Sequence, residues 1–375
     1  MTAVVVTGIG LVCALGPDRL TVWQRLLAGE CAIALRQPFP ALPPLPLAMI
    51  GKAPASVDGL LDQAVSEALA DAQLTEPGPL VGVVVGSSRA YQGQLEQLAQ
   101  QWRSGQDMSA ADWLRSQPHQ ISARLARRLQ ITGPVLAPMA ACATGLWAIA
   151  QGCQLIQSGQ CDQVIVGAVE APITPLALAG FERMGALAQT GCYPFDTDRE
   201  GLVPGEGVAV LVLETLERAG NKRRYGQVLG VGLTNDAHHV SSPMPGYGGA
   251  IAAIRQGLQR SQRRPDDIDY IHAHGTATRL NDQMEATVFN ALFPHRPAVS
   301  STKGATGHTL GASGALGMAV CLMGLAQQQL PPNVGMRAPA FDLNLVRQGM
   351  AANIETALCC SFGFGGQNAA VVVGR

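Results

Sequence analysis

Charge is scarce in this chain. Only 14% of its 375 residues are Asp, Glu, Lys or Arg, and 26 basic against 27 acidic side chains leave a formal charge of −1. Such a balance provides no basic surface for nucleic acid or an anionic membrane, so neither is expected as a partner. Lysine is scarcer still, with three against 23 arginines. The opening MTAVVVTGIG lacks a basic leading segment and reads as a strand and a Gly-rich turn rather than a signal peptide. The longest apolar stretch, Gly311 to Ala326, is broken by Ser313 and several glycines. It falls short of the ~20 residues that span a bilayer and reads as a buried helix, with no integral membrane contact expected. There is no C-x-x-C pair. Nine scattered cysteines, an odd number, point to free thiols in a reducing cytoplasm and give little support to structural zinc.

What is present is apolar. Hydrophobic residues make up 47% of the chain and glycine contributes 43 residues, which excludes intrinsic disorder. A chain of this size hides roughly 75% of its unfolded surface. The composition suits a buried-sheet enzyme with extensive internal contacts or a large subunit interface.

Short β-branched runs alternate with helical patterns, the mark of a largely parallel sheet faced by helices. Strands are expected at Ala3–Thr7, Val81–Gly86, Gln163–Gly167, Val208–Glu214, Gly226–Leu233, Asp269–His274, Ala357–Ser361 and Asn368–Val373. Helices are expected at Asp18–Ala28, Leu60–Gln73, Ile121–Leu129, Gly145–Gln157, Ala250–Gln259, Asp282–Leu292 and Gly311–Gln327. Six prolines between Pro38 and Pro54 read as an irregular surface loop. The polar run Ala219–Tyr225 separates two halves. A Gly/Ala-rich helix follows a loop with a reactive side chain in each half, which suggests a duplicated α/β plan.

Four runs carry candidate chemistry. Cys142, in PMAACATG, precedes a helix whose unpaired N–H groups and positive end would stabilise a thiolate and receive an oxyanion; a small buried cysteine is the other reading. His274, in YIHAHGTAT, closes a strand where parallel α/β folds keep their sites. With His272 it suggests a metal pair, but no third ligand follows at a suitable spacing, and a core histidine remains open. In SSTKGATGHTLGASG, Lys303 and His308 stand among Gly, Ser and Thr, either as a site needing a compact ammonium or as a surface loop. Asp282 and Glu285 have the spacing of a helix cap; the alternative is an acid pair that orients Lys303. In SFGFGGQN, Phe362 and Phe364 flank glycines, which reads as a mobile aromatic gate, a hairpin turn, or both.

Taken in order, the thiol at a helix start, HGT-x-T, KGATGH and GFGG-x-N resemble the β-ketoacyl-[acyl carrier protein] synthases of the elongating I/II type, over essentially the whole chain. VVVTGIGLVCALG, AGFERMGALA, PFDTDREGLVPGEGVAVLVLE and NDAHHVSSPMP add to the likeness. The resemblance implies a thiolase-like α/β fold of two duplicated halves, 1–220 with the nucleophile and 221–375 with the histidines and gate, in an α-β-α-β-α layering. It implies Cys142 as acyl acceptor, with His274 and His308 completing a Cys-His-His triad that steadies an enolate as malonyl-carrier loses carbon dioxide. Lys303, Asp282 and Glu285 would form a charged support. The Cys142 and Phe364 N–H groups would form an oxyanion hole, Phe364 a gate, and Thr276 and Thr278 pantetheine contacts. No metal or soluble redox cofactor is implied. Expected partners are an acyl carrier protein and either a second copy or a chain-length-factor-like subunit.

A histidine at the third triad place separates the chain from Cys-His-Asn relatives. Phe364 stands where a thiolase has its second cysteine, and Cys142 separates the chain from inactive chain-length factors. Two features depart from the common pattern. Tyr193 precedes PFD in place of Arg-, and Arg279-Leu280-Asn281-Asp282 replaces Pro-x-Gly-Asp. With the trimmed length, they resemble ketosynthases of aryl-polyene and related type II polyketide-like pathways. A silent chain-length-factor-like role and a thioester hydrolase or simple acyltransferase are the alternative expectations.

Overall fold

The computed structural model describes residues 2–74, 78 and 81–375. Ten strands form one mixed sheet: β1 (Val4–Cys13), β2 (Gly82–Gly86), β3 (Val135–Leu136), β4 (Gln163–Glu170), β5 (Gly207–Thr215), β6 (Gly226–Asn235), β7 (Tyr270–His272), β8 (Ala298–Ser300), β9 (Thr356–Gly363) and β10 (Gln367–Gly374). Their order is β3-β2-β4-β5-β1-β6-β10-β9-β7-β8. Counted outward from the middle, each strand of the first half has its counterpart five numbers later in the second. The senses repeat too: β1/β5 and β5/β4 are antiparallel while β4/β2 and β2/β3 are parallel. So are β6/β10, β10/β9, β9/β7 and β7/β8 in turn. Within the sheet, among the described residues, the halves are joined by Val4–Val6 of β1 paired with Gly226–Val228 of β6. The chain passes between them through the short helix Leu216–Ala219 and the polar run to Tyr225.

Five helices build the layers: α1 (Val57–Asp71), α2 (Thr144–Gln157), α3 (Gly248–Ser261), α4 (Arg279–Leu292) and α5 (Ser313–Gln327). α1 covers β1 and β5, and α3 covers β6 and β10, on the outer faces. α2 lies on β2 and β4, α5 lies on β9, and the two pack against each other between the half-sheets. The result is the α-β-α-β-α layering. α5 is apolar around its whole circumference and buried from Ser313 to Leu325, which only a helix enclosed on every side tolerates. Together with the preceding turn it gives the one stretch among the described residues apolar enough to cross a membrane, Leu310–Gln327, 89% buried inside the fold.

Close approach in both halves depends on glycine at matching places. A Cβ on Gly10 would fall 1.8 Å from the Ala64 carbonyl oxygen of α1, and one on Gly232 would fall 1.8 Å from the Ala253 oxygen of α3. At the α2–α5 crossing, a Cβ on Gly145 would fall 2.4 Å from the Ala315 nitrogen. That crossing sets the height at which α2, and the cysteine ahead of it, meets the second half.

All eight expected strands and all seven expected helices are present, with shifted ends. β1 runs on to Cys13 because Gly8 and Gly10, read as a turn, lie flat beneath α1. β7 ends at His272, so His274 lies just beyond the sheet. The proline-rich segment requires a correction. Leu45–Leu47 is a buried strand paired with Ala34–Arg36, with Pro46 opposite Leu35; a short two-stranded ribbon leaves proline's missing N–H without cost. Helices Gln92–Arg103 and Ala110–Arg115 were not anticipated, and neither buries a residue. Gln92–Arg103 has only Leu95 and Leu98 as half-buried apolar residues, and Ala110–Arg115 is six residues long, so each offers too short an apolar stripe to read.

Candidate active site

The residues that begin α2 place a thiol at the meeting of the two halves. Ala141 is held at φ +46°, and the turn it makes puts Cys142 two residues before α2, with Ala143 as its N-cap. The Thr144 hydroxyl fixes this turn, accepting from the Ala140 N–H at 2.9 Å and donating to the Ala141 carbonyl at 2.7 Å. From the second half, the Ser361 hydroxyl donates to the Cys142 carbonyl at 2.8 Å. A Cβ on Gly363 would fall 3.0 Å from the Cys142 nitrogen, so glycine is required there for β9 to reach the nucleophile's backbone. The next N–H, that of Phe364, donates towards the Cys142 sulfur.

His274 and His308 complete the cluster. The cysteine sulfur and a ring nitrogen from each histidine all lie within 4.8 Å of one another, and the two rings are edge-on with centroids 5.3 Å apart. His308 is hung by its backbone, donating to the Val203 carbonyl at 2.6 Å. Its Nδ1 meets the Ser313 hydroxyl at 2.8 Å, which turns Nε2 away from Ser313. Burial, then the Lys303 charge, holds both imidazoles well below the usual histidine range, so both are neutral at physiological pH. His272 is not in this cluster; its Nε2 faces the Thr302 hydroxyl at 3.4 Å.

Lys303 is 3% exposed. Its ammonium donates to the His274 carbonyl and stands 3.5 Å from His274 Nδ1. Asp282 and Glu285 act differently from both sequence readings. The cap of α4 is Thr278, whose hydroxyl accepts from the Asn281 N–H at 3.4 Å. Glu285 accepts the His274 and Gly275 N–H groups at 2.7 and 2.6 Å, and Asp282 accepts the Phe195 N–H at 2.7 Å. Among the described residues neither carboxylate forms an ion pair with Lys303; Glu285 and Lys303 bind opposite ends of the His274 backbone, its N–H and its carbonyl, while Asp282 holds Phe195. Asn281 ties the two acids together, donating to Glu285 at 2.7 Å and to Asp282 at 3.1 Å. Burial pushes Asp282 up to about 6. Burial and the Asp282 charge push Glu285 up as well.

The thiol itself departs from the expected thiolate. Burial pushes Cys142 up to about 11, against the downward pull of Lys303 and of the Phe364 N–H. The resting sulfur is therefore protonated, and desolvation outweighs the positive helix end.

A cavity of about 720 Å³ leads to the cluster. Phe362 and Phe364 line it, as do Thr276 and Thr278, whose hydroxyls are 2.9 Å apart. Phe362 stands edge-on to His274 at 6.2 Å. Phe364 opens the hairpin turn between β9 and β10, and Gly365 and Gly366 follow at φ +79° and +74°. Gly365 donates to the Val240 carbonyl at 2.8 Å and accepts from Asn235 at 2.9 Å, so this turn is clamped to the 235–240 loop. Reading the sequence missed Ser313, Asn281 and Ser361 as supports. Ser313 lies inside the quoted KGATGHTLGASG run, and its five-residue distance from His308 was the available signal.

Residues 55–219 match the β-ketoacyl synthase N-terminal domain and residues 225–337 the C-terminal domain. The chain belongs to the β-ketoacyl synthase family. The mitochondrial 3-oxoacyl-[acyl-carrier-protein] synthase of Arabidopsis thaliana is 32% identical over 98% of this chain and 92% of its own. 3-Oxoacyl-[acyl-carrier-protein] synthase 2 of Synechocystis is 33% identical over 97% and 96%. Among solved structures, a chain of the complex of ketosynthase ApeO with its chain length factor ApeC from Xenorhabdus doucetiae superposes with a TM-score of 0.86 at 30% identity, over 100% of this chain and 98% of that one. A β-ketoacyl synthase from Burkholderia phymatum gives 0.93 at 27%, over 100% of both. As a β-ketoacyl synthase, this chain is an acyltransferase of the elongating, decarboxylative kind.

Proposed function

We propose that this ketosynthase is the catalytic subunit of a type II polyketide-like or aryl-polyene elongation system, joining malonyl-carrier to an acyl or polyenoyl group held on Cys142. The carrying observation is the meeting of one sulfur and two neutral imidazole nitrogens within 4.8 Å at the end of the cavity. In the first step the Cys142 sulfur attacks the acyl carbonyl. The acyl–carrier C–S bond breaks, and the thiol proton passes by way of a neighbouring imidazole to the departing carrier thiolate. An anchored, neutral base beside the sulfur is needed because the resting thiol is protonated.

In the second step the bond between the malonyl methylene and its carboxylate breaks and carbon dioxide leaves. The electron pair delocalises onto the thioester oxygen as an enolate, then forms the new C–C bond at the Cys142 thioester carbonyl. The Cys142 sulfur departs with its bonding pair and takes up one proton from solvent, the one proton the condensation consumes, regenerating the thiol. The Lys303 ammonium offers only donors, so His274 Nδ1 accepts and its proton resides on Nε2, suited to donate to the enolate oxygen. The Ser313 hydroxyl can donate or accept, so His308 takes the thiol proton on Nε2 in the first step and presents Nε2–H as the second donor in the second. The Cys142 and Phe364 N–H groups receive the tetrahedral oxyanion, Phe364 and Phe362 gate the acyl end, and Thr276 and Thr278 meet the pantetheine arm. Lys303, Asp282 and Glu285 hold His274 in place. The substrates ride on the phosphopantetheine of an acyl carrier protein, and no metal or soluble redox cofactor enters the scheme. Nine free thiols support a reducing compartment.

The polyketide-like assignment rests on the 30% identity to a chain of the ketosynthase–chain length factor complex and on the Arg279–Asp282 departure. That likeness also supports a chain-length-factor-like partner subunit. Incubation with isotopically labelled acyl-carrier and peptide mass spectrometry should place the adduct on Cys142. Malonyl-carrier labelled in its free carboxylate should then release labelled carbon dioxide. Free acid without carbon dioxide would instead identify a hydrolase, and pathway output unchanged by Cys142→Ala would identify a silent subunit.

A further inference from the structure

The cavity holds a cation that the condensation scheme does not use. Arg89 follows β2 and lines the same cavity as Cys142. Its guanidinium carbon stands 5.4 Å from the centroid of the Phe181 ring. Phe181 is buried in an apolar cluster with Leu178, Leu187, Leu202 and Leu310, and Phe181, Leu202 and Leu310 also form cavity wall. Elsewhere the wall carries the hydroxyls of Ser241, Ser242, Thr276 and Thr278. The cavity thus has one mainly apolar wall and one rich in hydroxyls, and Arg89, beside Ser88, joins the apolar wall through Phe181, a wall suited to receive an acyl chain.

Among the described residues the Arg89 guanidinium forms no ion pair within 4.0 Å and donates no hydrogen bond; its side chain meets the Phe181 ring, and its charge acts at longer range on Glu170 and Cys142. The buried Glu170 nearby accepts the Ser88 N–H and forms no ion pair with Arg89. A guanidinium brings five N–H donors and a full charge. Closing saturated hydrocarbon over it removes water and returns nothing. A conjugated chain offers its π-cloud to the planar cation, and an oxygenated chain offers lone pairs.

We propose that Arg89 is a specificity-determining residue that favours acyl chains carrying electron-rich groups, conjugated double bonds or oxygen, over saturated alkyl chains on Cys142. The proposal rests on Cys142 as the acyl acceptor. It is tested by loading rates of hexanoyl-, 2,4-hexadienoyl- and 3-oxohexanoyl-carrier onto the full-length enzyme and onto Arg89→Met and Arg89→Lys, followed by intact-protein mass spectrometry. Because the three thioesters differ in intrinsic reactivity, the readout is each rate relative to hexanoyl, compared between wild type and variant.

Arg89→Met is expected to lower the relative rate of the dienoyl or oxoacyl chain about tenfold, and hexanoyl loading itself should rise. Arg89→Lys is expected to retain part of the preference. Whichever chain shows the larger change identifies π-electrons or oxygen as the group recognised. An equal effect of Arg89→Met on all three chains, alongside slower iodoacetamide alkylation of Cys142, would show that Arg89 acts on the thiol and overturn the proposal. Unchanged ratios in a variant with wild-type thermal unfolding would overturn it too. Absence of any Cys142 adduct in wild type with all three chains is a different failure, which removes the acyl-acceptor reading and this proposal with it.

Discussion

At the scale of single residues, the site is governed by desolvation more than by the helix end that marks Cys142 in the sequence. With the thiol pushed up to about 11, iodoacetamide alkylation of the free enzyme should climb about tenfold per pH unit from pH 7 through pH 9. A plateau by pH 8 would show that a thiolate is already formed. Lys303→Met removes the stronger of the two cations, Lys303 and Arg89, that pull this group downward, so alkylation at pH 8 should slow severalfold while the slope persists. Asp282 gives a stability signature of definite sign. Its folded-state value of about 6 lies above the ordinary aspartate value of 3.8, so the unfolded chain gives up this proton first. The resulting stabilisation is complete below pH ~4 and is lost as pH rises through about 6, by an amount on the order of 3 kcal/mol. Urea unfolding at pH 4.5 and 7.5 should show a smaller decline in Asp282→Asn than in wild type. Equal declines would place the titration elsewhere. Asn281 belongs to the same account. It stands where the family commonly has glycine, and its amide ties the two buried carboxylates that hold His274 and Phe195.

At the scale of elements, legibility followed periodicity and burial. β4, β5, β9 and β10 are continuous buried runs, and α5 is buried on every side, so the sequence announced each. Gln92–Arg103 and Ala110–Arg115 bury nothing and announced nothing. The site was legible where a motif put chemistry into one run, as at Cys142, His274 and His308. It was illegible where contacts join distant runs, as when Ser361 reaches the Cys142 carbonyl across 219 residues. The glycines of β1 were misread as a turn because one sequence does not distinguish a glycine that bends the chain from one that admits a helix. The structure distinguishes them, and a substitution checks it. Gly10→Ala and Gly232→Ala each drive a methyl onto a helix carbonyl 1.8 Å away, and each should cost about 1–3 kcal/mol or more. Chemical unfolding should show comparable losses for the two, since they occupy matching places in the repeat. A neutral Gly232→Ala beside a damaging Gly10→Ala would mean that α3 sits more loosely than α1.

At the scale of the whole molecule, the two edges of the sheet are finished differently. Beyond β8, Val299 exchanges backbone hydrogen bonds with Asn344 and Val346, so that edge is covered. Beyond β3 no such cover exists among the described residues. Val135 and Leu136 are 38% and 39% exposed, and Met139, just after them, is 57% exposed. An open edge with apolar side chains invites pairing with another chain. Met139 also lines the reaction cavity, so whatever covers this edge would help to enclose the acyl group. A second subunit seated there accounts for both facts and fits the partner proposed above. Leu136→Glu puts a charge where the interface would be dry and should break the assembly. Sedimentation of wild type, alone and with its co-expressed partner, should show a dimer, and Leu136→Glu should sediment as a monomer of unchanged thermal stability. The same variant should load acyl groups onto Cys142 more slowly, because its cavity has lost a wall. Should wild type sediment as a monomer under both conditions and load at full rate, this edge is not an interface and the cavity is complete within one chain.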